Sequence, residues 1–490
     1  MLLRPAVLRC ETGRMRTAYS VQTVRAAEQE LMARLPEGAL MQRAAAGLAV
    51  ACAELLGRVY GSRVVLLVGS GDNGGDALYA GARLARRGAG VAAVLLAPER
   101  AHAGGLAALR AAGGRVSADP PRDLSRADLV VDGIVGIGGR GGLRPEAARL
   151  ARAAREAATV VAVDLPSGVD ADTGEVAGDA VRADATVTFG AYKPGLLIDP
   201  ARERAGALRL VDIGLRPPAA ADVEALQHAD VAELLPRPAA ESDKYRRGVV
   251  GVVAGSARYP GAAVLAVAGA LRGGAGAVRY VGPAADAVLA RFPETLVHAG
   301  PPRKAGRVQA WVVGPGLGDE SAALDDVLAA DVPVLVDADG LRFLTPEGVR
   351  RRTAGTLLTP HAGEAAALLG RGREEVEAAR LEAVRELAGR FGATVLLKGS
   401  TTLVADPDVA VPVRVNPTGT GWLATAGSGD VLSGLAGSLL AAGLAPRDAG
   451  SVAAYLHGLA GRHAAAPHGE PIAASEVAGA LREAWANVLA

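Results

Sequence analysis

Near the end of the 490-residue chain, the turn AGSGD places one carboxylate, Asp430, directly behind Gly427 and Gly429 and at the head of a long apolar run. Glycines there leave main-chain N–H groups free to wrap a developing phosphoryl charge, and a helix dipole would support them. A carboxylate at that point can take the proton from a hydroxyl that attacks phosphate, and the same field favours its ionised form. An acid that merely caps a helix has the same residue type, so the turn alone leaves both readings open.

A second constellation lies in the first half. The strand-like run RVVLLV leads into GSGDNGGDALYAG, a glycine-rich βα turn carrying Asn73 and Asp76. Such a turn can hold a diphosphate through backbone amides without any basic side chain. Two further apolar runs end in acids: ADLVV is followed by Asp132 and TVVAV by Asp164, each before a glycine-containing loop. Ligands of open α/β sheets bind outside the carboxyl ends of the strands, so three such ends point to one place.

The elements that must position these residues alternate. Short β-rich runs and Ala/Arg/Leu helical stretches follow one another from Arg63, the signature of a parallel sheet covered by helices on both faces. ADATVTFG and ALRLVDIGL finish that sheet, and Val21 to Leu56 reads as two helices beside it. Composition shifts at Arg216, and a second α/β series starts with GVVGVVAGS and runs through AWVVGPGLG, VPVLVDADG, GTLLTPHAGE and ATVLLKGSTTLVA. The apolar stretch Val431 to Pro446 is too short for a bilayer and reads as a buried helix. The expected architecture is α/β with two domains: a Rossmann-like three-layer αβα domain over 15–215, a linker over 216–229, and a ribokinase-like αβα domain over 230–490. Residues 1–14 read as a disordered extension, with Met15 an alternative start.

Composition excludes several classes. With 53 basic and 52 acidic residues and no basic block, no nucleic-acid partner is expected. No membrane partner is expected either. Two cysteines form neither a disulfide framework nor a metal-ligand spacing, which suits the cytoplasm. Lysine fills only four of the 53 basic positions, among them Lys193, Lys244 and Lys398, and arginine fills the rest. These lysines are candidates for places where a planar fork cannot replace a compact ammonium. Ala-rich helices make a homo-oligomer the expected state.

GDNGGD, VDGIVGIGGRGG, VDLPSGVDADTG and ADATVTFGAYKPGLL together resemble the NAD(P)H-hydrate epimerase domain family over nearly all of Met15 to Leu215. The resemblance implies substrate contacts from Asp72, Asn73, Gly74, Gly75 and Asp76, from the loop Gly136, Ile137, Gly138, Gly139, Arg140, Gly141 and Gly142, and from a catalytic Asp164. It also implies a potassium ion held by Asn73, Asp132 and Ser167, a donor set that suits a hard cation. The chain departs from the family's usual loops in having GSGDNGGDA and GIG.

AGSGD resembles the anion-hole loop of ribokinase-like kinases. In the company of YPGAA, VVGPGLG, LTPHAGE and LLKGSTTLV, the second half resembles the NAD(P)H-hydrate dehydratase family from about Asp230 to Ala490. By that resemblance Ala262, Gly318 and His361 contact the hydrated nucleotide, Lys398, Gly399, Ser400, Thr401, Thr402 and Gly429 hold ADP or ATP with Mg2+, and Asp430 is catalytic at the hydrate. The implied function is bifunctional repair: epimerisation of R and S hydrates of NADH and NADPH, then dehydration of the S form at the expense of ADP, with ATP as the second choice. The alternative is a ribokinase-like vitamin or sugar kinase fused to a noncatalytic dinucleotide-binding domain.

Overall fold

The computed structural model describes residues 15–218, 220–319 and 322–490. The expected extension over 1–14 lies outside them. The described chain divides into two compact units, one formed by Thr17–Val223 with Glu377–Leu381, the other by Glu224–Val376 and Glu382–Ala490 with Met15 and Arg16.

In the first unit seven parallel strands run in the order Arg115–Val116, Gly90–Leu95, Arg63–Val68, Leu129–Gly133, Thr159–Val163, Ala185–Phe189 and Ala207–Val211. Their Val- and Leu-rich central members are buried along almost their whole length, as a sheet covered on both faces requires. Chain order reverses between Arg63–Val68 and Leu129–Gly133, which pair directly, Leu67 opposite Asp132. That switch point opens a crevice at the carboxyl ends, where the glycine-rich turn and both acids fall. The two leading helices are Val21–Met32 and Ala39–Leu56. The second is long and apolar enough to cross a membrane by length and composition, yet Leu48, Ala49, Ala51 and Cys52 pack into this unit's core. Burial pushes the Cys52 thiol up to about 12, so it is inert.

In the second unit the sheet runs Val413–Asn416, Thr402–Ala405, Thr394–Leu397, Thr356–Leu358, Val334–Val336, Ala310–Val313, Val249–Val253, Ala277–Val281 and Leu296–His298. All pairings from Thr394–Leu397 onward are parallel; the first two are antiparallel. The apolar stretch at 431–446 is more than one helix: Ser428–Ala441 ends there, Gly443 turns at φ 101°, and Pro446 starts Pro446–Ala464. Ser428–Ala441 lies against Pro260–Arg272 at backbone contact distance. A Cβ on Gly434 would stand 1.9 Å from the Ala266 carbonyl oxygen, and one on Gly269 2.1 Å from that of Val431. This contact fixes the start of the helix that carries Asp430. Inside the span 216–229 lie the strand Val223–Ala225 and the start of helix His228–Leu234. Glu224 is held by Arg447 at 2.7 Å and by Arg414 at 3.6 Å, so ordered structure begins earlier than an irregular linker would allow.

Candidate functional site

At the first unit's crevice the helix Asp72–Arg86 begins at once after Gly71. Asn73, Gly74, Gly75 and Asp76 are therefore its first turns and not a free loop. The Gly74 and Gly75 N–H groups already point to the Gly71 carbonyl, at 3.0 and 3.4 Å, which leaves the N–H groups before them for an anion. The glycines also serve close approach. A Cβ on Gly136 would sit 2.2 Å from Asn73 Oδ1, and one on Gly138 3.0 Å from an Arg25 guanidinium nitrogen. The 136–142 loop is thus laid over Asn73, with Arg140, Gly141 and Gly142 exposed.

Asn73, Asp132 and Ser167 converge. Ser167 donates its hydroxyl to Asp132 Oδ1 at 2.7 Å and its N–H to Oδ2 at 2.8 Å, and the Ser167 hydroxyl oxygen is 3.1 Å from the Val135 carbonyl. Asn73 Nδ2 donates to the Val163 carbonyl at 2.5 Å, and its amide oxygen lies on the Gly136 side. Asp132 is 0% exposed and has no basic side chain acting on it among the described residues; burial pushes its carboxyl up to about 6. A buried carboxylate ringed by amide, hydroxyl and carbonyl oxygens, without an ammonium, is a donor set that fits potassium.

Asp164 is held differently. It adopts φ 65°, rare for a side-chain-bearing residue, at the end of Thr159–Val163. Its Oδ1 receives the Thr188 hydroxyl at 2.9 Å, the Phe189 N–H at 3.2 Å, and the ammonium of Lys193. Lys193 is 1% exposed and also reaches Thr188 Oγ1 at 3.0 Å. Over the same crevice stands Glu28 from Val21–Met32. Its carboxyl is raised by burial against the opposing pull of Lys193, with Asp164 and Asp72 adding to the rise.

In the second unit Gly427, at φ 87°, starts the helix that carries Asp430 on its first turn. A Cβ on Gly429 would be 3.5 Å from Lys398 Nζ, so the turn and the LLKGS segment share one site. Lys398 donates to Asp337 Oδ1 at 2.6 Å and lies 3.8 Å from Glu364. Asp337, 1% exposed, takes the Ser433 hydroxyl on its other oxygen at 2.6 Å. Burial, then Asp337, push the Asp430 carboxyl up to about 7 against Lys398, and Asp339 and Glu364 add to the rise. Desolvation and three neighbouring carboxylates thus act against the helix-start field that favours the ionised form of Asp430.

Of the remaining expected contacts, Gly318 and His361 neighbour Asp339 and Glu364, two of the acids that act on Asp430. Ala262 packs on Gly316, where a Cβ would be 2.6 Å from its own, and Gly318 donates its N–H to Asp339 Oδ2 at 2.9 Å. His361 caps helix Ala362–Leu369: its Nδ1 accepts the N–H groups of Gly363 and Glu364 at 3.0 and 3.1 Å, and its Nε2 stands 3.4 Å from Glu364. Gly399 and Ser400 form an exposed turn, Thr401 is buried, and Thr402 starts the strand paired with Asn416.

Two family models match the chain: NAD(P)H-hydrate dehydratase over residues 250–482 and YjeF-related protein N-terminus over residues 37–195. The bifunctional NAD(P)H-hydrate repair enzyme Nnr of Mycobacterium leprae is 51% identical over 487 residues, 96% of this chain and 100% of that protein. The chain belongs to the bifunctional NAD(P)H-hydrate repair enzyme family. The member from Mycobacterium tuberculosis strain H37Rv is 53% identical over 442 residues, 88% of this chain and 90% of that protein. Among solved structures, the ADP/ATP-dependent NAD(P)H-hydrate dehydratase of Bacillus subtilis, co-crystallised with ATP and Mg2+, is 31% identical over 54% of this chain and 97% of that chain, at a TM-score of 0.49.

Within this family member, four contributors to the two sites escape a reading of the sequence alone. Arg25 and Glu28 come from a helix that carries no strand-end signal. Asp337 ends the run VPVLV, the same signal that marks Asp132 and Asp164, and that signal could have found it. His457, in the middle of an apolar helix, is within hydrogen-bond distance of the Ser428 carbonyl, at 2.9 Å from Nε2, and burial pushes its imidazole down to about 4. It is thus a neutral donor that braces the AGSGD turn. Lys193 had one signal, its rarity.

Proposed function

We propose that the first unit interconverts the R and S hydrates of NADH and NADPH and that the second dehydrates the S form. The observation that carries the reading is Asp430, poised at about 7 beside Lys398 at a glycine-opened helix start. A carboxyl with that affinity for protons is matched to accept one from the ring hydroxyl near neutral pH. The hydroxyl oxygen then bonds to the terminal phosphorus of ADP, the bridging P–O bond breaks, and AMP leaves. The Gly429 N–H and the Lys398 ammonium face the charge that develops on the phosphoryl oxygens. Phosphate departs from the ring carbon, pushed by the adjacent nitrogen lone pair, and loss of the neighbouring proton restores the dihydropyridine.

Magnesium would neutralise the nucleotide phosphates. Magnesium usually uses one or two carboxylates plus phosphate oxygens, and among the described residues there is no cluster of three or more His, Cys, Asp or Glu; both oxygens of Asp337 are taken by Lys398 and Ser433, so the nucleotide phosphates would supply most of its ligands. In the first unit, Asn73, Asp132 and Ser167 would hold potassium, which would supply a fixed positive charge near the substrate. The helix start at Asp72 binds the pyrophosphate, and Asp164 works at the hydrated ring. A cytoplasmic location and self-association belong to the same reading, on the grounds of cysteine use and Ala-rich helices.

The test mixes the protein with S hydrate and follows recovery of the reduced cofactor's absorbance with ADP, with ATP and with neither. Recovery that depends on a nucleotide, with ADP preferred, supports the reading. Release of a phosphorylated hydrate, or of a phosphorylated vitamin or sugar, contradicts it.

A further inference from the structure

A second acid of the epimerase crevice, Asp76, takes no part in the steps above. It sits on the second turn of Asp72–Arg86 and is 6% exposed. Its Oδ1 is sealed from solvent and has no hydrogen-bond partner among the described residues. Buried carboxylates normally take N–H donors or a cation, so an orphaned oxygen marks either an energetic cost or a function. Asp164, in the same crevice, has the opposite environment, with an ammonium, a hydroxyl and a backbone N–H on one oxygen. Burial pushes Asp76 well above the usual carboxylate range, and the charged groups that add to the rise are the acids Asp164, Asp72 and Glu28. His102 is also near, its ring 3.2 Å from where a Cβ on Gly75 would stand, but its Nδ1 is spent on the Gly105 N–H. Two carboxyls of one crevice, one set among donors and the other among acids, form the arrangement from which separate acid and base roles arise.

We infer that Asp76 is the general acid of epimerisation, its carboxyl carrying the proton that the hydrate's hydroxyl receives, while Asp164 stays paired with Lys193. The inference rests on the reading of the first unit as an epimerase. The hydroxyl-bearing carbon of the hydrate is bonded to the ring nitrogen, whose lone pair can expel hydroxide only as a proton arrives. The Asp76 proton passes to the hydroxyl oxygen, the C–O bond breaks with its electron pair going to oxygen, and a C=N+ bond forms as water departs. The acids around the crevice offset that positive charge. Water adds to the other face, and its proton returns to the Asp76 carboxylate, so nothing is oxidised or reduced.

The test is Asp76→Asn in the full chain, with R-hydrate loss measured across pH and corrected for the uncatalysed rate. Asparagine keeps the shape and removes the transferable proton. The expected result is a kcat for epimerisation lower by roughly a hundredfold, the usual range for a lost general acid, with KM changed by less than about threefold. The wild-type kcat should fall as pH rises and the carboxyl ionises, and the variant should lose that limb. A circular-dichroism melt of the same preparation that keeps the wild-type transitions reports that the variant is folded. An Asp76→Asn protein that epimerises within about threefold of wild type, or that keeps the same alkaline limb, overturns the assignment. If the variant does not fold, the wild-type profile decides, and a kcat that rises with pH overturns it. A wild-type chain that does not epimerise at all overturns the underlying reading instead.

Discussion

Lys398 donates to one oxygen of Asp337 at 2.6 Å, and Ser433 donates to the other at the same distance. Ser433 lies on the second turn of Ser428–Ala441, so Asp337 ties the LLKGS segment to the helix that carries Asp430. Replacing Lys398 by Met leaves Asp337 buried without its ammonium, a change that typically costs about 3–5 kcal/mol. Chemical denaturation of Lys398→Met should show that loss, and nucleotide-dependent turnover should fall by roughly a hundredfold or more.

Asp430 gives a pH signature with a definite sign. Its carboxyl, raised from 3.8 to about 7, binds its proton more tightly in the folded chain than in the unfolded one. That stabilisation is fully present below the unfolded value and is lost as pH rises through about 7. Asp430→Asn should therefore gain stability relative to wild type between mildly acidic and alkaline pH, measured as the difference in urea midpoints. Catalysis runs the other way: as a base, Asp430 must be ionised, so wild-type dehydratase kcat/KM should rise through about 7, and the Asn variant should be slow and lack that rise.

The buried pair Lys193–Asp164 predicts an asymmetric result. Lys193→Met strands a carboxylate in a strained backbone position and should destabilise the first unit by about 3–5 kcal/mol. Asp164→Asn keeps the shape, so it should cost less in thermal stability while abolishing epimerisation. Full epimerase activity in Asp164→Asn would remove its role.

Potassium should act through Asp132. Exchanging potassium for lithium should slow R-hydrate loss and lower the melting temperature, since a ligand that binds only the folded state stabilises it by mass action. In Asp132→Asn the melting temperature should no longer distinguish the two salts. An equal response in both proteins would refute the donor set.

Much of the fold and of both sites is legible in the sequence, for physical reasons. A buried parallel strand is a run of Val and Leu, and its carboxyl end is where the run stops, so Asp132 and Asp164 announce themselves. Asn73, Gly429 and Lys398 sit beside glycines at the junctions where a strand ends or a helix begins. Protonation is not legible. Asp430 is raised by burial and then by Asp337, Asp339 and Glu364, which come from other segments and meet only in the folded chain. Glu28 and Arg25 lie three residues apart on a helix whose sequence gives no sign of which face meets the crevice. His457 looks like any residue of an apolar helix until the Ser428 carbonyl is seen beside it.

The most direct test supplies R hydrate alone to the full chain with ADP and magnesium and follows the return of the reduced cofactor's absorbance. Complete recovery is expected in wild type, and in Asp164→Asn only the slow recovery set by spontaneous epimerisation. Recovery in Asp164→Asn as fast as in wild type, or none in wild type although S hydrate is consumed, would contradict the assignment of the two activities to this chain.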